Sequence, residues 1–112
     1  MELFAKGSVV LVPFPFSDLS NAKLRPALIL AEVNKNDFIL TQITSKPYSD
    51  AFFVKISEQD FEWGSLRIDS YIRIGKLFTA NKTLFYRMLG RLNEDKYKEI
   101  TQKVKGIFPD SY

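Results

Sequence analysis

Apolar residues arrive along this chain in short runs, each bounded by turn chemistry, and that pattern predicts strands before anything else. Val9 to Phe14 follow Gly7, and Pro13 and Pro15 then remove two backbone donors, so a first strand is expected at about 8–14, ending or lying at a sheet edge. Residues 17–24 mix Ser, Asp, Asn and Lys, which predicts a loop longer than a tight hairpin and able to fold over a site. Residues 26–33 are nearly all apolar and read as a buried second strand; the turn 34–37 returns the chain as a third, Phe38 to Thr44. Pro47, Ser49 and Asp50 break the pattern ahead of a fourth run, 52–56. Residues 57–66 read as an acidic, irregular connection. Over 70–78 Tyr71, Arg73 and Gly75 alternate with Ile72, Ile74 and Lys76 as a half-buried fifth strand. Residues 84–92 carry apolar positions at both spacings and are read as a short strand or an irregular segment.

The period then changes. Asn93 suits an N-cap, Glu94 and Asp95 suit a first turn, Lys103 and Lys105 suit a last one, and Tyr97, Ile100, Val104 and Ile107 fall on one face, so an amphipathic helix is expected over 94–106. Several short strands closed by one helix predict a mainly β fold: a small, strongly bent antiparallel sheet or partly open barrel with a C-terminal helix. At 112 residues the chain is one domain. It is long enough to bury roughly two-thirds of its unfolded surface.

Composition narrows the chemistry by subtraction. The chain has no cysteine and no histidine, which removes disulfides, thiolate ligands, the commonest general base and the commonest metal ligand. Any catalyst built from it uses Arg, Lys, Thr, Ser, Tyr or carboxylates. The carboxylates Asp18, Asp50, Asp60, Glu62 and Asp69 are scattered without the spacing of a metal loop, so neither a metal nor another cofactor is expected. A net charge of +3 favours polyanionic partners mildly. No stretch approaches the length of a membrane span and the first residues lack a signal pattern, so a cytoplasmic protein with no membrane partner is expected.

Three places can carry chemistry. Arg25 lies between Leu24 and Pro26, and the proline biases it toward extended backbone at the mouth of the second strand; its fork can grip a phosphate, though position alone favours a surface carboxylate. Thr44 and Ser45 end the third strand, where hydroxyls either hold a phosphate oxygen or an attacking 2′-OH, or cap the turn toward Pro47. Arg73 shares a strand face with Tyr71, a pairing that suits a backbone contact beside a stacked base or a purely structural cation–π pair. Lys46 and Lys76 are most simply solvated charges, and Trp63, Phe61, Phe14, Phe16, Phe52 and Phe53 are core or interface first.

The glycine start at Gly7, the run Pro13-Phe14-Pro15-Phe16, the Lys23-x-Arg25-Pro26 segment and the later Thr44-Ser45 together resemble the PemK/MazF family of toxins. The likeness covers nearly the whole chain. It is strongest over 7–45 and returns at Gly64-Ser65-Leu66, Ser70 to Leu77 and Gly90-Arg91-Leu92. The resemblance implies an SH3-like bent sheet, a homodimer, metal-independent and sequence-specific cleavage of single-stranded RNA, and a cognate antitoxin protein as partner. It places catalytic roles on Arg25 and Thr44 and a shared role on Arg73, with Lys23, Ser45, Lys46 and Tyr71 contacting the RNA. Ser8 and the segment Ser20-Asn21-Ala22-Lys23 depart from the family pattern, which suits a different RNA sequence. A related branch of the same fold poisons DNA gyrase, and a non-catalytic binding module is the other alternative.

Overall fold

Alternation along the strands sorts the apolar residues onto two faces of a single sheet, and which face a residue takes decides whether it meets the helix or the site. The computed structural model describes residues 4–14, 23–47 and 51–110. Within them run β1 (Ser8–Pro13), β2 (Leu24–Glu32), β3 (Asp37–Thr44), β4 (Phe53–Ile56), β5 (Phe61–Gly64), β6 (Ser70–Asn81), β7 (Arg87–Leu92) and the helix α1 (Glu94–Lys105). The strands form one sheet in the order β4-β6-β3-β2-β1-β7-β5, every pairing antiparallel. This is the mainly β architecture, closed by one helix, that the sequence predicts.

On one face Val9, Leu28, Ile43, Val54 and Ile72 cluster beneath α1, whose Ile100 is fully buried among them. The opposite face carries Val10, Val12, Ala27, Leu40 and Phe78, with no helix among the described residues over it. The helix begins where expected because the Asn93 side chain accepts the Lys96 N–H at 2.8 Å, satisfying one of the orphan donors of the first turn. Tyr97 ties the helix to the sheet by donating its hydroxyl to the Leu30 carbonyl.

Three segments differ from expectation. The connection 57–66, read as irregular, contains a 3-10 turn at Glu58–Asp60 and the edge strand β5. Its signal lies in two glycines: Gly64 faces Gly90 across β5 and β7, and a Cβ on Gly90 would stand 2.7 Å from the Trp63 carbonyl oxygen, one on Gly64 2.3 Å from that of Leu89. Gly64 also has φ +76°, which side chains rarely adopt. The ambiguous run 84–92 resolves into a 3-10 turn at Lys82–Leu84 and then β7. The fifth run extends to Asn81 and breaks its pairing midway: Thr41 faces Leu77 but Gln42 faces Arg73, leaving Ile74, Gly75 and Lys76 without a β3 partner. Three extra residues reverse the side-chain parity of β6, so Arg73 and Tyr71 lie on the same face as Phe78 and Ala80. The expected loop at 17–24, with Asp18 and Phe16, falls almost entirely outside the described residues, as does Asp50.

Candidate active site

Register alone brings the sequence-predicted residues together. Directly opposed residues of neighbouring strands share a sheet face. Val10 faces Ala27, Ala27 faces Gln42, Gln42 faces Arg73 and Arg73 faces Phe53, giving one continuous row over five strands. The next row, two residues along, runs Val12, Arg25, Thr44, Tyr71, Lys55; its Arg25 to Thr44 step is the β2–β3 register extended by two residues. Strands lie about 4.8 Å apart, so the backbones of Arg25 and Tyr71 are separated by only ~10 Å, with Thr44 between them. All of these residues are on the face that α1 leaves uncovered.

Arg25 sits inside β2, one residue past its start, so its side chain leaves a paired strand and not a free loop. It is exposed and its guanidinium lies 5.7 Å from the centroid of the buried Phe14 ring. Among the described residues it makes no ion pair, so no described carboxylate competes for the fork. Lys23 is exposed just ahead of it.

Thr44 closes β3 half-buried, and its hydroxyl oxygen accepts the Lys46 N–H at 3.2 Å. The turn-capping reading therefore holds for Thr44, and it leaves the hydroxyl proton free to be donated. Ser45 and Lys46 follow on the exposed rim.

Arg73 is half-buried and more constrained. Its Nη1 donates to Gln42 Oε1 at 3.3 Å, and its guanidinium packs 5.5 Å from the centroid of Phe53. The expected stacking partner, Tyr71, is replaced by Phe53 because the residue directly across on β4 is nearer than one two positions along the same strand. Asp69 pairs with Lys55 at 3.3 Å in an exposed ion pair worth little. The Nε of Arg73 is buried with no hydrogen-bond partner.

Gln42 is the site residue that sequence reading passed over. Its signal was available: a long polar side chain inside the apolar run Phe38 to Thr44, two positions before Thr44 and hence on its face. No group of three or more His, Cys, Asp or Glu side chains able to hold a metal gathers among the described residues. A cavity of about 850 Å³ lies between α1 and the sheet, lined by Leu30, Ile39, Leu77 and Tyr97, on the far face from Arg25 and Thr44. Burial there raises the Tyr97 hydroxyl above the usual tyrosine value. The open face thus offers two guanidinium forks and hydroxyl donors: groups that hold a phosphodiester and stabilise added negative charge on it, with none that readily removes a proton from water.

Residues 5–108 match the family model described as PemK-like, MazF-like toxin of type II toxin-antitoxin system. No curated protein matches the chain in sequence. Among solved structures, an endoribonuclease in complex with its cognate antitoxin from a mycobacterial species superposes with a TM-score of 0.76 at 13% identity, over 98% of this chain and 99% of that one. The Mycobacterium tuberculosis toxin MazF-mt6 gives 0.72 at 16%, over 94% and 99%. The MazE-MazF structure (Form-III) from Deinococcus radiodurans gives 0.76 at 15%, over 95% and 96%. At these identities the structural likeness shows the fold.

Proposed function

The chain belongs to the PemK-like, MazF-like toxin family of type II toxin-antitoxin systems, and from that premise we propose that it is a metal-independent, sequence-specific endoribonuclease acting on single-stranded RNA. The observation that carries this reading is the placement of Arg25, Thr44 and Arg73 in two adjacent rows on one uncovered sheet face. The substrate supplies its own nucleophile. The 2′-oxygen attacks the adjacent phosphorus, its proton passing to water; the bond from phosphorus to the 5′-oxygen breaks and that oxygen takes a proton from water. The products are a 2′,3′-cyclic phosphate and a 5′-hydroxyl, and the atoms balance without a metal.

Arg25 stabilises the extra charge on the pentacoordinate phosphoryl group and Thr44 donates to a phosphate oxygen. Arg73 adds a second cation, and Lys23, Ser45, Lys46 and Tyr71 line the path of the flanking nucleotides. A guanidinium stays protonated, so both arginines act electrostatically. The partners we assign are single-stranded RNA, a cognate antitoxin protein and a second copy of the chain, all in the cytoplasm. The homodimer is supported by the large aromatics left exposed, among them Phe52, Trp63, Tyr86 and Phe108, and light scattering at micromolar concentration should report twice the chain mass.

The test uses a long single-stranded RNA in excess EDTA. Discrete cuts bearing cyclic-phosphate ends are expected, and replacing the ribose before a cut by deoxyribose should abolish that cut while leaving binding nearly unchanged, because phosphate contacts supply most of the affinity. Cleavage of the deoxy-substituted strand at the same place, or a requirement for Mg²⁺, overturns the mechanism. Intact RNA returns the protein to the gyrase-poison or binding-module alternatives.

A further inference from the structure

We propose that Gln42 is the positioning residue for Arg73 and that its lack of charge is what the site requires; this rests on the nuclease reading of Arg73. A long arginine side chain on an open sheet face samples many rotamers, and a phosphate fork that must first be ordered stabilises a transition state less than one already in place. Here both ends of Arg73 are held by consecutive β3 residues. The Thr41 hydroxyl donates to the Arg73 main-chain carbonyl, and Gln42 Oε1 accepts from Nη1 at 3.3 Å. The Phe53 ring packs 5.5 Å from the guanidinium on the β4 side. These contacts meet at the break in β3–β6 pairing, where the bulge would otherwise leave the strand loosely held.

With Nη1 engaged, the fork keeps the edge formed by Nε and the second terminal nitrogen, and Nε is buried without an acceptor. Burial closes Nε to an incoming phosphate, so the second terminal nitrogen is the donor left to face one. That nitrogen can donate to a non-bridging phosphate oxygen in a charge-assisted hydrogen bond. The chemistry also explains a glutamine. A glutamate would make the same bond more strongly, yet it would neutralise the guanidinium and repel the incoming phosphate; an apolar residue would leave the fork unaimed. Glutamine accepts the hydrogen bond and leaves the positive charge available.

The experiment compares Gln42→Met and Gln42→Glu in the intact protein and in an Arg73→Ala background. Three readouts are taken: the single-turnover cleavage rate, the Kd and salt slope for an uncleavable deoxy-substituted strand, and the Arg73 Nε–Hε NMR signal. Gln42→Met should slow the single-turnover rate about tenfold with little change in Kd, the worth of one hydrogen bond to a charged group, and should broaden the Nε–Hε signal. Gln42→Glu should weaken binding about tenfold and flatten the salt slope by about 0.7, the contribution of one phosphate contact on a single strand. The Gln42→Met effects should vanish in the Arg73→Ala background, whereas the Gln42→Glu carboxylate should still repel the strand there. Normal rate and an unchanged Nε–Hε signal in Gln42→Met overturn the inference, as does a Gln42→Met slowing that persists without Arg73. If Arg73→Ala itself cleaves normally, the assignment of Arg73 fails. If Arg73→Ala is slow and Gln42→Met is not, Gln42 alone falls.

Discussion

Replacing Arg25 by alanine separates the proposed chemistry of the site from the stability of the fold, because the residue carries very different weights in the proposed reaction and in the packing. Arg25 is exposed, makes no ion pair with a described carboxylate, and touches the protein chiefly through the face of the Phe14 ring at 5.7 Å. An exposed cation–π contact of this kind is worth about 0.5–1 kcal/mol. Phe14 stays packed against Phe78 at 6.0 Å whether or not the guanidinium lies over it. The loss at the reacting centre is of another size. Removing one preorganised donor from a developing oxyanion costs about 3–4 kcal/mol, or about 10²–10³ in rate. Arg25→Ala should therefore melt within a few degrees of the unaltered protein and cut RNA about a hundred to a thousand times more slowly, measured as single-turnover cleavage of a defined oligonucleotide. Arg25→Lys, which keeps the charge and loses the fork, should fall between the two. A folded Arg25→Ala protein that cuts within threefold of the unaltered rate would refute the placement of Arg25 at the phosphate.

Thr44→Val removes a hydroxyl that both caps the turn to Lys46 and is offered to the phosphate; cleavage should drop at least tenfold while denaturant unfolding shifts by about 1 kcal/mol or less, and equal rates would exclude Thr44 from the site. Tyr97→Phe deletes the hydrogen bond to Leu30, costing about 1 kcal/mol near neutral pH. Because burial raises the Tyr97 value in the folded state, the unfolded chain ionises first, so its stabilisation is complete below pH about 10 and drains away as the pH climbs through the folded value. Melts across that range should decline less steeply in the phenylalanine variant. Gly90→Ala drives a methyl against the Trp63 carbonyl and should cost about 1–3 kcal/mol by urea titration; an unchanged midpoint would show that β5 adjusts freely. Deleting Gly75 changes the three-residue insertion in β6 to two and reverses the parity of one half of the strand, so the variant should fail to fold cooperatively by thermal circular dichroism, and a normal melt would contradict the face assignment.

Most of the fold was legible because its signals are local. The strands around Val9, Leu28 and Leu40 are apolar runs cut by Pro, Asn and Asp, and α1 is announced by its cap and its period. What escaped depends on contacts distant in sequence. β5 is short and lies in an acidic connection, and it exists because Gly64 and Gly90 let two backbones close, a relation across 25 intervening positions that no local pattern shows. In the candidate site, the position of Arg25 at the start of β2 and of Thr44 at the end of β3 was readable from their neighbours. Phe53 as the partner of Arg73, and Gln42 as its acceptor, follow only from the register of three strands.

The bulge in β6 is where fold and site become one question. Had the pairing of Thr41 with Leu77 continued without interruption, Gln42 would face Lys76 and Thr44 would face Ile74, and Arg73 would lie beyond the end of β3. The strand would then have had to present Ile72 and Ile74 to solvent on the uncovered face, or else turn Arg73 beneath α1 among Ile43, Ile56 and Leu28, where an unpaired guanidinium carries a prohibitive desolvation cost. Inserting an odd number of residues resolves the conflict. The upper half of β6 keeps Phe78 and Ala80 in the apolar cluster of the uncovered face, while the lower half buries Ile72 and Ile74 on the helix side and turns Tyr71 and Arg73 outward toward Thr44 and Arg25. One sheet face is thus apolar at one end, where it completes a core, and cationic at the other, where it can meet a phosphodiester. The irregularity places the guanidinium groups of Arg25 and Arg73 on one sheet face, in a chain without histidine or cysteine and with no clustered metal site among its described residues.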